Sequence, residues 1–210
     1  GTTNDFAKTH GLLVSEDKAL DIITHQSQQT IDIGMFNDRY FSYVAAFGAY
    51  TAVAVKTSQK LKNYLGYQAY VLTSFTHLNS LKRYHITLTI DDQTTHEDVI
   101  FFAVSNATSI GGLIHYHHDQ IQLNDGYLEM CMIRYPENGI DAIKTIQSLN
   151  KQTFDHPNIV IKKVASLTVS SESPLFWSID GEAGGELQQV TISCLHNAVT
   201  IIKPTDPIQK

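Results

Sequence analysis

Two acidic residues flank a glycine at Asp180-Gly181-Glu182, directly after the apolar alternation Phe176-Trp177-Ser178-Ile179. Glycine permits a turn that a Cβ would oppose, so both carboxylates can face one small volume and there hold a metal ion or accept a proton. The same pattern is an ordinary solvated turn after a strand, and on local pattern alone that is the stronger reading. A second acid-glycine pair stands at Asn124-Asp125-Gly126. Its carboxylate and loop carbonyls are oxygen ligands of the kind a hard cation takes, and it is equally an Asp-Gly hairpin turn. A third group is His115, His117 and His118. Histidines two apart share one face of a strand, but the segment is loop-like and lacks a third ligand at a familiar spacing, so a metal site is not expected there.

These residues need a scaffold, and 210 residues can bury a full core in one large β domain or two smaller ones. With 42% hydrophobic and 17% charged residues the composition is that of a globular protein. The net charge of −6 argues against a nucleic-acid partner, which calls for a concentrated basic surface. Lys56, Lys60, Lys62, Lys82 and Arg83 read as solvated helix faces instead. The longest apolar stretches, Val99 to Val104 and Tyr43 to Val55, are too short or too interrupted to span a bilayer. No secretory signal pattern opens the sequence. Cys131 and Cys194 lie in apolar alternating runs and read as free thiols. Together these features point to a cytoplasmic protein, with any membrane contact weak and local.

Helical patterns run from Ser15 to His25, Ala49 to Tyr64, Tyr67 to Leu81 and Ile140 to Leu149. Period-two alternation predicts strands over Ile31 to Met35, Tyr40 to Phe47, His85 to Asp91, Asp98 to Ser105, Tyr127 to Arg134, Ile159 to Val169, Leu175 to Ile179, Leu187 to Cys194 and Ala198 to Ile202. The expectation is a mainly β (α+β) fold, a two-sheet β-sandwich with helical insertions. Phe36, Phe41, Tyr43, Phe47, Phe75, Phe101, Phe102 and Trp177 are expected in the core, some of them lining an apolar cleft.

Three passages, in order, resemble the family of diacylglycerol kinases, sphingosine kinases and bacterial lipid kinases. They are Gly1-Thr2-Thr3-Asn4-Asp5-Phe6-Ala7; Val104-Ser105-Asn106 with Gly111-Gly112 and Leu123-Asn124-Asp125-Gly126-Tyr127-Leu128; and Asp180-Gly181-Glu182. The agreement extends over essentially the whole chain. The family's Gly-rich phosphate loop and G-G-D-G-T segment are not found. The resemblance therefore implies that residues 1–12 are the last turn of a missing nucleotide-binding domain and residues 13–210 the C-terminal lipid-substrate sandwich. Two departures stand out: His115-Tyr116-His117-His118-Asp119 replaces an apolar-Pro segment, and Glu129 stands where the family usually has Asp.

What the resemblance implies is an ATP-dependent lipid kinase at work on a lipid with a free hydroxyl. Asp180 would be its general base and Glu182 a second catalytic carboxylate, with Thr2 and Asn4 near the nucleotide. Asp125, with the carbonyls of Gln122 and Tyr127, would hold a structural Mg2+, and a further Mg2+ would accompany ATP. The protein would be cytoplasmic and peripheral, touching the membrane surface transiently, and a homodimer is compatible with it. Substitution of Asp180 by Asn would abolish transfer with the fold unchanged. Two alternatives stay open: a non-catalytic lipid-binding or regulatory sandwich, and a relative of NAD kinase.

Overall fold

The computed structural model describes residues 4–25, 27–49, 81–112, 114–116 and 121–204. Thr2, His117, His118, Asp119, Phe75 and the two helices expected between residues 49 and 81 lie outside the described residues, apart from Ala49 and Leu81.

Two short helices, α1 (Asp5–Thr9) and α2 (Glu16–His25), precede the strands. β1 (Gln28–Phe36), β2 (Arg39–Phe41) and β3 (Val44–Gly48) follow, then β4 (Tyr84–Ile90) and β5 (Gln93–Ser105). A small hairpin of β6 (Ser109–Ile110) and β7 (Ile114–His115) leads to β8 (Leu128–Arg134). α3 (Gly139–Lys151), β9 (Ile159–Val164), β10 (Ser166–Ile179) and β11 (Glu182–Ile202) complete the order. The protein is mainly β, as its alternating sequence predicts. α3 starts where Asn138 accepts the Asp141 N–H at 3.0 Å, an N-cap that satisfies one otherwise orphaned donor.

The main sheet runs β2-β1-β11-β10-β3-β5-β8-β9, every pairing antiparallel. β4 lies end to end with β3 in the same slot between β10 and β5. That arrangement requires long strands on either side: β10 pairs first with β4 at Thr168–Ser170 and then with β3 at Trp177–Ile179. Several expected short strands are therefore segments of longer ones. Leu187 to Cys194 and Ala198 to Ile202 both belong to β11, whereas Ile159 to Val169 divides at Ala165 between β9 and β10. Pro174 is tolerated inside β10 because residues 171–174 sit at a register shift and make no ladder pairs with β11.

Inward residues of nearly all the long strands meet in one core, so the sheet curls over as the two leaves of a sandwich. Trp177, with no exposed surface, is the hub of that core. Its ring lies edge-on to Phe47 at 4.8 Å, Phe36 at 5.1 Å and Phe102 at 6.2 Å. A second core on the outer face of β3, β5, β8 and β9 is covered by α3 and the β6–β7 hairpin. Trp177 is three residues from Asp180, so the turn after β10 is carried on the most deeply anchored part of the sheet.

Candidate active site

Asp180 and Gly181 form the two-residue turn between β10 and β11, closed by the Ile179–Glu182 pair. Both turn residues have positive φ, 50° and 88°. An Asp-Gly hairpin of the primed type requires this at both central positions, and Asp and Gly tolerate it. The strand expected over Tyr40 to Phe47 is broken at Ser42-Tyr43, opposite this turn. The cause is Asp180, whose carboxylate takes the backbone donors that would otherwise enter a ladder. Oδ1 accepts the N–H groups of Tyr43 and Val44, both at 2.9 Å. Oδ2 accepts the Ser42 N–H at 2.8 Å and the Ser42 hydroxyl at 3.2 Å. The Asp180 N–H in turn donates to the Val44 carbonyl at 2.8 Å.

Asp180 is exposed, and among the described residues no cation pairs with it. Four neutral donors hold its charge, and the Ser42 hydroxyl is the longest and the only rotatable one. Glu182 opens β11 on the same turn, exposed, and its side chain makes no hydrogen bond to another described residue. The structure thus brings the two sequence-predicted carboxylates to one solvent-facing edge with different holds on them.

Tyr43 is not simply a core aromatic. Its ring is only partly buried, against the outer-face core, and its hydroxyl donates to Asp5 Oδ2 at 2.7 Å while accepting the Gly111 N–H at 2.6 Å. Burial pushes the phenol pKa well above its usual value; the Gly111 N–H opposes this and the Asp5 carboxylate adds to it, so the proton stays on Tyr43. Asp5 is only 3% exposed, and its other oxygen accepts the Ser109 hydroxyl at 2.7 Å. Asn4 beside it caps α1 at a φ of 52°, exposed and without a side-chain capping bond. Residues of the first, second and third motif passages, Asp5, Gly111 and Asp180, therefore converge on Tyr43. Sequence reading missed Asp5, Ser42 and Tyr43 as site residues. Asp5 was signalled by its motif; Ser42 and Tyr43 carried no local signal, because the partner that recruits them is about 137 positions away.

The second acid-glycine turn is built differently. Asp125 Oδ2 pairs with the Lys163 ammonium at 2.5 Å and Oδ1 accepts the Tyr127 N–H at 3.1 Å. Beneath it, fully buried Asp32 accepts the Gly126 N–H and the Asn197 N–H, each at 2.6 Å, and meets His196 at 3.0 Å. Glu129 is 1% exposed with both oxygens unpartnered by any described group, and burial pushes its pKa up to about 8. Gln122 and Tyr127 are exposed loop residues on either side of the turn. Among the described residues no three His, Cys, Asp or Glu side chains are grouped to hold a metal. The donor chemistry is oxygen-only, which suits a hard cation; the Lys163 ammonium already brings positive charge to that place. The two turns are linked, because the Asn106 N–H donates to the Tyr43 carbonyl at 3.1 Å and its amide to the carbonyls of Asp32 and Leu123 at 2.6 and 3.1 Å.

Residues 44–203 match the family of the YegS C-terminal NAD kinase beta sandwich-like domain. The chain belongs to that family. Relatives of this YegS-type domain include the diacylglycerol kinase of Staphylococcus saprophyticus, 30% identical over 207 residues that cover 98% of this chain and 67% of the relative. The diacylglycerol kinase of Staphylococcus aureus is 28% identical over 211 residues, covering 100% of this chain and 66% of the relative. The crystal structure of a diacylglycerol kinase from Bacillus anthracis str. Sterne superposes with a TM-score of 0.73 at 20% identity, over 98% of this chain and 67% of that one. Another solved chain from the same organism reaches 0.76 at 24% identity, covering 98% and 66%. The YegS-type chain thus spans about two thirds of the length of these proteins, and the structural likeness establishes the sandwich. No described helix is long and apolar enough to cross a membrane.

Proposed function

We propose that this chain is the substrate half of an ATP-dependent lipid kinase of the diacylglycerol kinase type, with Asp180 as the general base. The observation that carries the reading is the hold on Asp180: an exposed carboxylate on a rigid turn, paired with no cation among the described residues and with one hydroxyl among its four described donors. Both lone-pair positions on each oxygen are used. A substrate hydroxyl reaches the carboxylate by replacing the Ser42 hydroxyl, the only donor that can rotate away without breaking backbone contacts. The lipid O–H proton then passes to Oδ2, the lipid oxygen bonds to the γ-phosphorus, and the bond from phosphorus to the bridging oxygen breaks with its electrons leaving on ADP. The three N–H groups keep the carboxylate aimed throughout, and Glu182 stands on the same edge to orient water or metal.

The names of the staphylococcal relatives support the phosphotransferase class and the substrate class. ATP would be delivered by the further third of chain that those relatives possess, with Thr2 and Asn4 in the turn that approaches it. Residues 1–12 would then be the end of that nucleotide domain and residues 13–210 the lipid-substrate domain. Asp125, with the carbonyls of Gln122 and Tyr127, would hold a structural Mg2+, which supplies charge neutralisation at the turn when bound. The partner is a lipid with a free hydroxyl, met at a membrane surface by a cytoplasmic, peripheral protein, and self-association as a homodimer fits this setting.

A lipid-binding sandwich without catalysis is the second reading, favoured by the saturation of the Asp180 carboxylate. Transfer of γ-labelled phosphate from ATP to diacylglycerol, phosphatidylglycerol, a sphingoid base and a polyprenol by the longer protein decides between them. Label on one of these lipids supports the kinase; no label on any, with lipid bound, supports the binding module.

A further inference from the structure

Tyr43 has all its polar groups committed, and to different parts of the chain. Its N–H donates to Asp180 at 2.9 Å and its carbonyl accepts the Asn106 N–H at 3.1 Å. Its hydroxyl donates to Asp5 at 2.7 Å and accepts the Gly111 N–H at 2.6 Å. The two bonds at the hydroxyl fix the ring, and the ring fixes the short Ser42-Tyr43 bridge between β2 and β3, whose N–H groups hold Asp180. On the far side, the described side-chain partners of Asp5 are two hydroxyls, Tyr43 and Ser109, for a nearly buried charge. Removal of either hydroxyl leaves a buried carboxylate oxygen unpaired, a cost larger than the bond itself. Thr9 adds an anchor to the same turn: its hydroxyl meets that of Thr108 and accepts the Thr108 N–H, both at 3.1 Å.

We propose that Tyr43 is a positioning residue that couples the seating of the Asn4-Asp5 turn to the N–H cradle of Asp180. The inference rests on the reading of Asp180 as the base and adds its regulation: the cradle is in order only while the turn nearest the nucleotide is docked. The carboxylate is thereby aimed when the nucleotide side is in place and loosened when it is not. Packed side chains and hydrogen-bond networks carry coupling of this kind, and here the path is a single residue between two carboxylates.

The test is amide hydrogen exchange on the 210-residue chain, read at Ser42, Tyr43 and Val44 with Phe102 and Val104 of β5 as a fold reference. Tyr43→Phe keeps the ring and removes one oxygen. It is expected to speed exchange at the three cradle amides about 10-fold, which corresponds to about 1.4 kcal/mol of lost local hold, with β5 unchanged. Asp5→Asn should do the same from the far side, and the double variant should be no faster than the faster single one. Ser109→Ala, which loosens Asp5 without touching Tyr43, should move the same amides in the same direction. Wild-type exchange at Ser42–Val44 in Tyr43→Phe, or effects of Tyr43→Phe and Asp5→Asn that simply multiply, would overturn the proposal. In the longer protein Tyr43→Phe should lower kcat about 10-fold with KM for the lipid unchanged. Normal turnover of Asp180→Asn alongside coupled exchange would refute the base and leave the coupling standing, so the two failures are distinguishable.

Discussion

The same dipeptide, Asp-Gly, occurs at two turns of this sheet and is put to opposite uses. Among the described residues the Asp180-Gly181 carboxylate is held by dipoles, three backbone N–H groups and one hydroxyl. At Asp125-Gly126 it is neutralised by the Lys163 ammonium, with one backbone N–H as support. Dipoles orient an anion and leave its charge available to a substrate; an ammonium cancels it. The charge state of an acid-glycine turn is thus set by what the rest of the fold brings to it. Asn106 joins the two regions, holding the Tyr43 carbonyl with its backbone and the Asp125 turn with its amide.

That contrast can be broken from either side. The largest effect is expected for Asp180→Ala, which strips four donors of their acceptor: folding stability should fall by about 2–4 kcal/mol, read by urea denaturation, and turnover of the longer protein should vanish. Asp180→Asn is expected to be milder but not silent. Its amide nitrogen would meet N–H groups where an acceptor is needed, so a stability loss of about 1–2 kcal/mol is expected with the fold unchanged. Next is Lys163→Met, which leaves Asp125 without its cation beside the orphaned Glu129. Millimolar Mg2+ should raise the melting temperature of this variant more than that of the wild type; equal response in both would separate Asp125 from cation binding. Asp125→Asn alone is expected to cost less than about 1 kcal/mol, because the pair is partly solvated. An effect as large as that of Asp180→Ala would erase the contrast.

A separate effect concerns pH near the docked turn. His10, just beyond α1, is 2% exposed with neither ring nitrogen partnered by a described group. Burial, followed by the charge of Lys203, lowers its pKa from 6.5 to about 4. A base whose folded pKa is depressed takes up its proton more readily when unfolded, so stability is full above pH 6.5. It is lost as pH falls toward about 4, by at most about 1.4 kcal/mol per unit. In His10→Phe this slope should flatten in denaturation curves between pH 4 and 7, while the curve above pH 7 keeps its shape.

Much of the fold was legible because its signals are local. Alternation revealed β4, the Asp98–Ser105 part of β5, β8 and the core faces of β10, and the apolar spacing of Ile140 to Leu149 marked α3. Strand lengths were not legible: the runs broken at Pro174 and at His196-Asn197 read as separate strands, though the backbone continues through both. Nor was the end-to-end placement of β3 and β4, which depends on two flanking strands long enough to serve both. At the site, Asp180 and Asp125 announced themselves by type and by the glycine beside them. Ser42 and Tyr43 sat inside an apolar alternation that predicted an unbroken strand, because nothing local reveals that a distant carboxylate captures their N–H groups. Lys163 stood in the alternation of β9, and only the pairing of that strand with β8 at Glu129 brings it to Asp125.

The most direct test of Asp180 as the base is the rate of phosphate transfer to diacylglycerol by the longer protein carrying Asp180→Asn, measured on samples whose folded fraction has been fixed by denaturation. A loss of at least about 1,000-fold in kcat, beyond any loss of folded protein, is the predicted result; the size corresponds to removal of a base that acts in the transition state. Turnover within a few-fold of wild type would contradict it and leave Asp180 as the structural clasp of the Ser42-Tyr43 bridge.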